Sequence, residues 1–193
     1  MADAVHDGTA NRTEAADAAG PDTALDARPG LAVPLGVDPA TFRLVLGHFC
    51  TGVTVVTAVD NGVPVGTTCQ AFTSLSLDPP LVAFCPSQWS VTYPRLRSAG
   101  KFCVNVLSEH QEEVARRFSA KDGTDRFHGI GWAPAPSGSP VLHGSVAWVD
   151  CTVQAEYDGG DHLIVVGRVR ALGSPGGAGP LLFFRGGYRQ FSG

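Results

Sequence analysis

The chain has 193 residues, 44% of them hydrophobic and 17% charged, enough apolar material for one domain with its own core. Its formal net charge of -4 is unevenly placed: residues 1–40 hold seven acids and two bases, so the remaining body is slightly positive. A near-neutral body gives no basic footprint for nucleic acid, and no apolar run approaches the roughly 20 residues of a membrane-spanning helix.

Residues 1–36 are rich in Ala, Asp, Gly, Thr and Pro and have no hydrophobic period, so they are expected to form a disordered N-terminal tail. Order is expected from residue 37 to residue 193. In DPATFRLVLGHF, Asp38 is placed to cap a helix with Pro39 at its first position, and Phe42, Val45, Leu46 and Phe49 recur at helical spacing. TGVTVVTAV reads as a strand, Asp60-Asn61-Gly62 as a hairpin turn and VPVGTTCQAF as the returning strand. PPLVAFC is a short apolar strand, SVTYPRLRSAG a short helix ended by Gly100, and KFCVNVLS another strand. SEHQEEVARRFS predicts a helix capped by Ser108 with Gln111 three residues on. Residues 129–140 read as a loop. SVAWVDCTVQAEY and HLIVVGRVRAL are two long strands joined by Asp158-Gly159-Gly160-Asp161, and PLLFF is a last strand.

This pattern predicts a mainly β fold of six or seven antiparallel strands with two or three short helices. No GxGxxG follows a strand, which argues against a Rossmann fold. The five cysteines (Cys50, Cys69, Cys85, Cys103, Cys151) are odd in number and widely spaced, as reduced, mostly buried thiols of a cytoplasmic protein would be. Closely spaced Cys or His ligands are missing, so no metal site is expected. No basic start followed by an apolar stretch marks a secretory signal.

Six segments in order, TGVTVVTA, GTTCQAFTSLSLDPPLVAFCPS, KFCVNVLSEHQEEVARRF, DRFHGIGW, GDHLIVVGRV and PLLFFRGGYRQF, resemble the flavin reductase family with a split-barrel FMN-binding fold. These are reductase components of two-component flavin-dependent monooxygenases. The resemblance implies an antiparallel split β-barrel and NAD(P)H-dependent reduction of FMN or FAD. It implies release of reduced flavin to a partner monooxygenase, and a homodimer. It places the flavin ring against Thr67, Thr68, Cys69, Gln70 and Ala71, with Ser74 and Ser76 extending that segment. Small side chains and available amides there suit a flat ring that needs main-chain donors. Ser87, Ser90 and Thr92 are placed at the flavin phosphate or ribityl chain, with Arg117 supplying a charge that many relatives carry near Gln88. Gly160, Asp161 and His162 resemble the nicotinamide motif, His162 assisting by a hydrogen bond to the nicotinamide carboxamide or ribose. Tyr188 and Arg189 are further candidates for the same dinucleotide. Hydride transfer between two cofactors needs no protein nucleophile. The rival reading from another class is a non-catalytic FMN-binding or flavin-carrier protein.

Overall fold

The computed structural model describes residues 36–120 and 125–191. The tail expected over residues 1–36 lies, except for Gly36, outside the described residues. From Pro39 onward the element order is α1 (Pro39–Leu46), β1 (Thr51–Gly52), β2 (Thr54–Asp60), β3 (Val63–Cys69), β4 (Phe72–Leu77), β5 (Pro80–Phe84), α2 (Tyr93–Ala99), β6 (Lys101–Val106) and α3 (Glu112–Ser119). There follow β7 (Trp132–Pro134), β8 (Pro140–Leu142), β9 (Ala147–Asp158), β10 (Leu163–Gly173), β11 (Leu181–Phe184) and β12 (Gly187–Gln190). The expected mainly β, antiparallel class is observed.

Seven strands form one sheet in the order β3-β2-β6-β9-β10-β5-β4. Its two edge strands, β3 and β4, are consecutive in the chain and joined only by Gln70 and Ala71. Six inter-strand steps of a flat sheet would separate them by about 29 Å. The link from Cys69 to Phe72 spans at most about 11 Å. The sheet therefore curls back until the ends of its edges meet at that link. A three-stranded sheet, β1-β11-β12, and the β7-β8 hairpin complete the sheet structure of the described residues.

The hairpin at Asn61-Gly62 is a two-residue turn with Asp60 opposite Val63 and both turn residues at positive φ, as the Asn-Gly pair demands. Gly100 ends α2 in the left-handed conformation. Strand β2 is buried on both faces, which explains its unbroken TVVTAV run. Val56 joins Phe84, Leu96 and Phe102 in one cluster, while Val55 joins Leu107, Phe118 and Leu181 in the other. Each fully buried Phe or Val side chain contributes on the order of 1.5–3 kcal/mol relative to exposure.

Three local expectations are corrected. The described residues hold twelve strands rather than six or seven, because two- to four-residue strands such as β1, β7 and β8 are too short to show a period. The segment read as a loop at 129–140 thus contains β7 and begins β8. The VPVGTTCQAF strand breaks at Gln70, where the chain crosses between the two sheet edges. Ser108 does not cap α3. It begins a turn in which its N–H donates to Gln111 Oε1 at 3.0 Å, and the helix starts after Gln111. Helix α1 starts at Pro39 as expected, yet buries none of its residues.

Candidate active site

A cleft of about 1560 Å³ opens around the β3–β4 link. Its walls come from α1, β1, β3, the start of β4, the end of β5, the 85–92 segment and the β11–β12 hairpin. No Asp or Glu is among its described lining residues, whereas Arg43, Arg126 and His162 are. A cleft with cations and no carboxylates favours anionic ligands, and its low-dielectric walls focus that preference.

Thr67, Thr68, Cys69, Gln70 and Ala71 all line this cleft. Several of these side chains are committed to the protein. Thr68 Oγ1 donates to Ala115 O at 2.7 Å. The Cys69 thiol points toward the carbonyls of Ala71 and Cys85 at 3.6 and 3.8 Å, and burial pushes its pKa up to about 11. Thr54 Oγ1 donates to Cys69 O at 2.6 Å from the neighbouring strand. What β3 offers a ligand is therefore main chain: as an edge strand it leaves alternate N–H and C=O groups outside the ladder. Ser74 and Ser76 sit farther along β4, beyond the cleft lining, and Thr73 takes their place in it.

Ser87, Ser90 and Thr92 also line the cleft. Ser87 Oγ accepts from Trp89 N–H at 3.2 Å, and Ser90 Oγ from the N–H groups of Thr92 and Tyr93 at 3.3 and 3.1 Å. Thr92 Oγ1 accepts from Arg126 Nη1 at 2.8 Å. Each oxygen thus receives a bond from the protein and keeps its own proton to donate, as an anion cradle requires. The cation beside them is Arg126, which also donates to Gly66 O at 2.8 Å and to Ala120 O.

Arg117 is elsewhere. It pairs with Glu113 along α3 and donates to His128 O at 2.6 Å, because α3 turns Ala115 and Phe118 inward and its arginines outward. Glu112 and Glu113 at the start of that helix and Arg116 and Arg117 at its end complement the dipole. Arg126 was not singled out from the sequence. Its only signal there was its place in DRFHGIGW, one of the segments carrying the resemblance.

His162 lines the cleft from the turn between β9 and β10, while Gly160 and Asp161 lie outside the lining. Gly160 takes φ +85, and Gly160 N–H is held by Asp158 Oδ1 at 3.0 Å. Gln88 clamps this turn to the hydroxyl segment: its Nε2 donates to Gly160 O at 2.7 Å and Asp158 Oδ1 at 3.1 Å, and its main-chain N–H to Asp161 O at 3.0 Å. A β-bridge pairs Ser87 with His162. His162 Nδ1 lies 2.7 Å from Asp161 Oδ1. A carboxylate only accepts, so Nδ1 carries a proton and Nε2 is the ring nitrogen left for a ligand. The same hydrogen bond is the main reason the Asp161 carboxyl sits below its usual pKa. Tyr188 also lines the cleft, with the Arg116 guanidinium 4.9 Å from its ring centre. Arg189 does not, its Nη1 being turned to Tyr188 O at 2.7 Å.

The sequence profile of the flavin reductase like domain family matches residues 46–192. The chain is 51% identical over 154 residues to the reductase subunit of a flavin-dependent monooxygenase from Mycobacterium tuberculosis, covering 79% of this chain and 82% of that protein. It is 48% identical over 157 residues to a flavin reductase of Pseudomonas putida, covering 81% and 92%. Among solved structures, the NADH:FAD oxidoreductase of Streptomyces globisporus in complex with NAD and FAD fragments superposes with a TM-score of 0.76 at 39% identity, covering 80% of this chain and 93% of that one.

Proposed function

Since the chain belongs to the flavin reductase like domain family, we propose that it reduces free FMN or FAD with NADH or NADPH and supplies the reduced flavin to a partner monooxygenase. One observation carries the reading: a cleft with no carboxylate among its described lining residues holds a cation and three hydroxyls, and a β-bridge from Ser87 sets the histidine of a nicotinamide-type turn beside them.

The residues fit a flavin. The edge of β3 at Thr67–Ala71 supplies main-chain donors for the polar rim of the ring, and Ala83 and Phe84 give an apolar wall. Ser87, Ser90, Thr92 and Arg126 fit its phosphate, so Arg126 takes the role expected of Arg117. His162 Nε2 would accept from the nicotinamide carboxamide, and Tyr188 flanks that end. When bound, the flavin accepts a hydride from the dihydronicotinamide. The protein contributes position. The cleft would hold the donor against the ring, and the main-chain dipoles of the β3 edge would stabilise the negative charge gained on reduction.

The curled seven-stranded sheet whose edges meet only at Gln70-Ala71 supports reading the fold as a split barrel. The profile match supports taking residues 37–193 as the catalytic domain, with residues 1–36 dispensable for catalysis. A homodimer is supported by the apolar residues left exposed on α1 and the cleft rim, among them Phe42, Val45, Phe49 and Trp89. No helix among the described residues is long and apolar enough to cross a membrane, and a cytoplasmic location accords with the free cysteines of the described body.

The test is steady-state oxidation of NADH and NADPH with and without FMN, FAD and riboflavin. Saturable turnover that requires added flavin supports the reading. Tight flavin binding without turnover would favour a flavin carrier.

A further inference from the structure

A second cationic position, separate from Arg126, is built from two elements distant in sequence. Arg43 comes from α1 and Arg185 from the turn between β11 and β12. Arg185 N–H donates to Gly47 O at 2.8 Å, which ties that turn to the residue just after α1. Arg43 and Arg185 then line one small cavity of about 350 Å³, and Arg43 also lines the main cleft alongside His162.

Both arginines are exposed, and their setting distinguishes them from scattered surface charge. Neither arginine has an ion-pair partner within 4.0 Å among the described residues, Asp161 being felt by Arg43 only at longer range. Two guanidinium groups on one cavity repel each other unless an anion sits between them. The backbone at Arg185 is also unusual. The turn has two residues, with Phe184 opposite Gly187, Arg185 at φ +49 and Gly186 at φ +78. This turn type favours Asn, Asp or Gly at the first position, as Asn61 shows in the other hairpin. A long side chain there is disfavoured, and such strain persists where a side chain is needed in place.

The charge of Arg43 reaches the nicotinamide-type turn. It adds to the hydrogen bond from His162 in favouring the ionised Asp161. Arg43 and His162 line the same cleft, while Arg126 is bonded to Thr92 of the hydroxyl segment. Two separate cations in a cleft with no carboxylate among its described lining residues match two separate anionic groups.

We propose that Arg43 and Arg185 form a binding site for a phosphate group of the nicotinamide dinucleotide. This rests on the reading given under Proposed function. The phosphate is either the pyrophosphate common to NADH and NADPH or the 2′-phosphate of NADPH, and the guanidinium chemistry is the same for both.

The experiment compares the wild-type protein with Arg43→Gln, Arg185→Asn and the double variant. Asn tolerates the left-handed backbone at position 185, so the turn is preserved. NADH, NADPH and N-benzyl-dihydronicotinamide, which has no phosphate, serve as hydride donors at saturating flavin. The double variant is expected to raise KM for NADH about tenfold or more, with kcat and the flavin KM little changed, and to leave the phosphate-free donor unaffected. An equal rise for both dinucleotides assigns the pyrophosphate, and a larger rise for NADPH assigns the 2′-phosphate. Unchanged KM for both dinucleotides, or the same loss with the phosphate-free donor, overturns the proposal. If the wild-type protein reduces no flavin with any donor, the functional reading fails instead. Titration with ADP-ribose still tests the arginine site in that case: binding weakened in the double variant supports it, and binding equal in both proteins rejects it.

Discussion

Replacing Arg126 by Gln should weaken FMN far more than riboflavin. The guanidinium is half-buried and already donates to Thr92 Oγ1, Gly66 O and Ala120 O. Those three bonds fix it beside the hydroxyls of Ser87, Ser90 and Thr92, so little ordering entropy remains to be lost when a phosphate arrives. A hydrogen bond to a charged group contributes about 1.5–3 kcal/mol net. At about 1.4 kcal/mol per tenfold, FMN affinity should fall by roughly ten- to a hundredfold. Riboflavin has the same ring and no phosphate, so its affinity should change by less than about threefold. The assay is flavin fluorescence quenching for both ligands, with a thermal melt of each protein. Lost bonds to Gly66 O and Ala120 O will cost some stability, but that loss falls on both flavins alike. Arg117→Gln should leave both affinities unchanged, since Arg117 is spent on Glu113 and His128 O. The reasoning is refuted if Arg126→Gln weakens the two flavins equally, or if Arg117→Gln is the variant that separates them.

His162→Ala should raise KM for NADH by about threefold to tenfold with the flavin Kd nearly constant, and Gln88→Met should give the same pattern at smaller size by loosening the turn that carries His162. Weakened flavin binding with normal NADH kinetics would reassign His162. Gly167→Ala should destabilise the fold by roughly 1–3 kcal/mol in urea titration, because a Cβ there would meet Phe102 Cζ at 2.4 Å and Cys151 Cβ at 3.2 Å; a neutral effect would show that the Phe102 ring can move aside. Near pH 8, a thiol reagent should label exposed Cys50 fast and partly buried Cys85 slowly. Cys103 and Cys151, with pKa values raised to about 12 mainly by desolvation, should react only on unfolding. Prompt labelling of all five thiols would contradict the packing.

The sequence disclosed the long elements and the turns, and the reason is physical. Asn61-Gly62, Gly100 and Asp158–Asp161 are local chemistry, and β2, β9 and β10 are long enough to carry β-branched runs. The short strands β7, β8 and β12 left no mark, because three or four residues are too few to show a period. At the site, residues 67–71, Ser87, Ser90, Thr92, His162 and Tyr188 were named from the resemblance and share one cleft. Arg126, Arg43 and Phe183 were missed, since a lone Arg or Phe has no period or spacing to betray it. Arg117 is named as a substitute for the charge that relatives carry near Gln88, but its helix commits it to Glu113 and His128 O outside the cleft lining. Ser74 and Ser76 were grouped with the flavin segment by adjacency, which the chain reversal at Gln70-Ala71 undoes.

Flavin-dependent turnover of a nicotinamide dinucleotide is tested most directly by anaerobic mixing of the purified protein with NADH and excess free flavin, followed by the bleaching of flavin absorbance. Complete reduction of many equivalents of flavin per protein chain is expected, at a rate that saturates in both flavin and NADH. Absence of bleaching beyond the uncatalysed rate, with NADPH as well as NADH and with FMN, FAD and riboflavin alike, would contradict it.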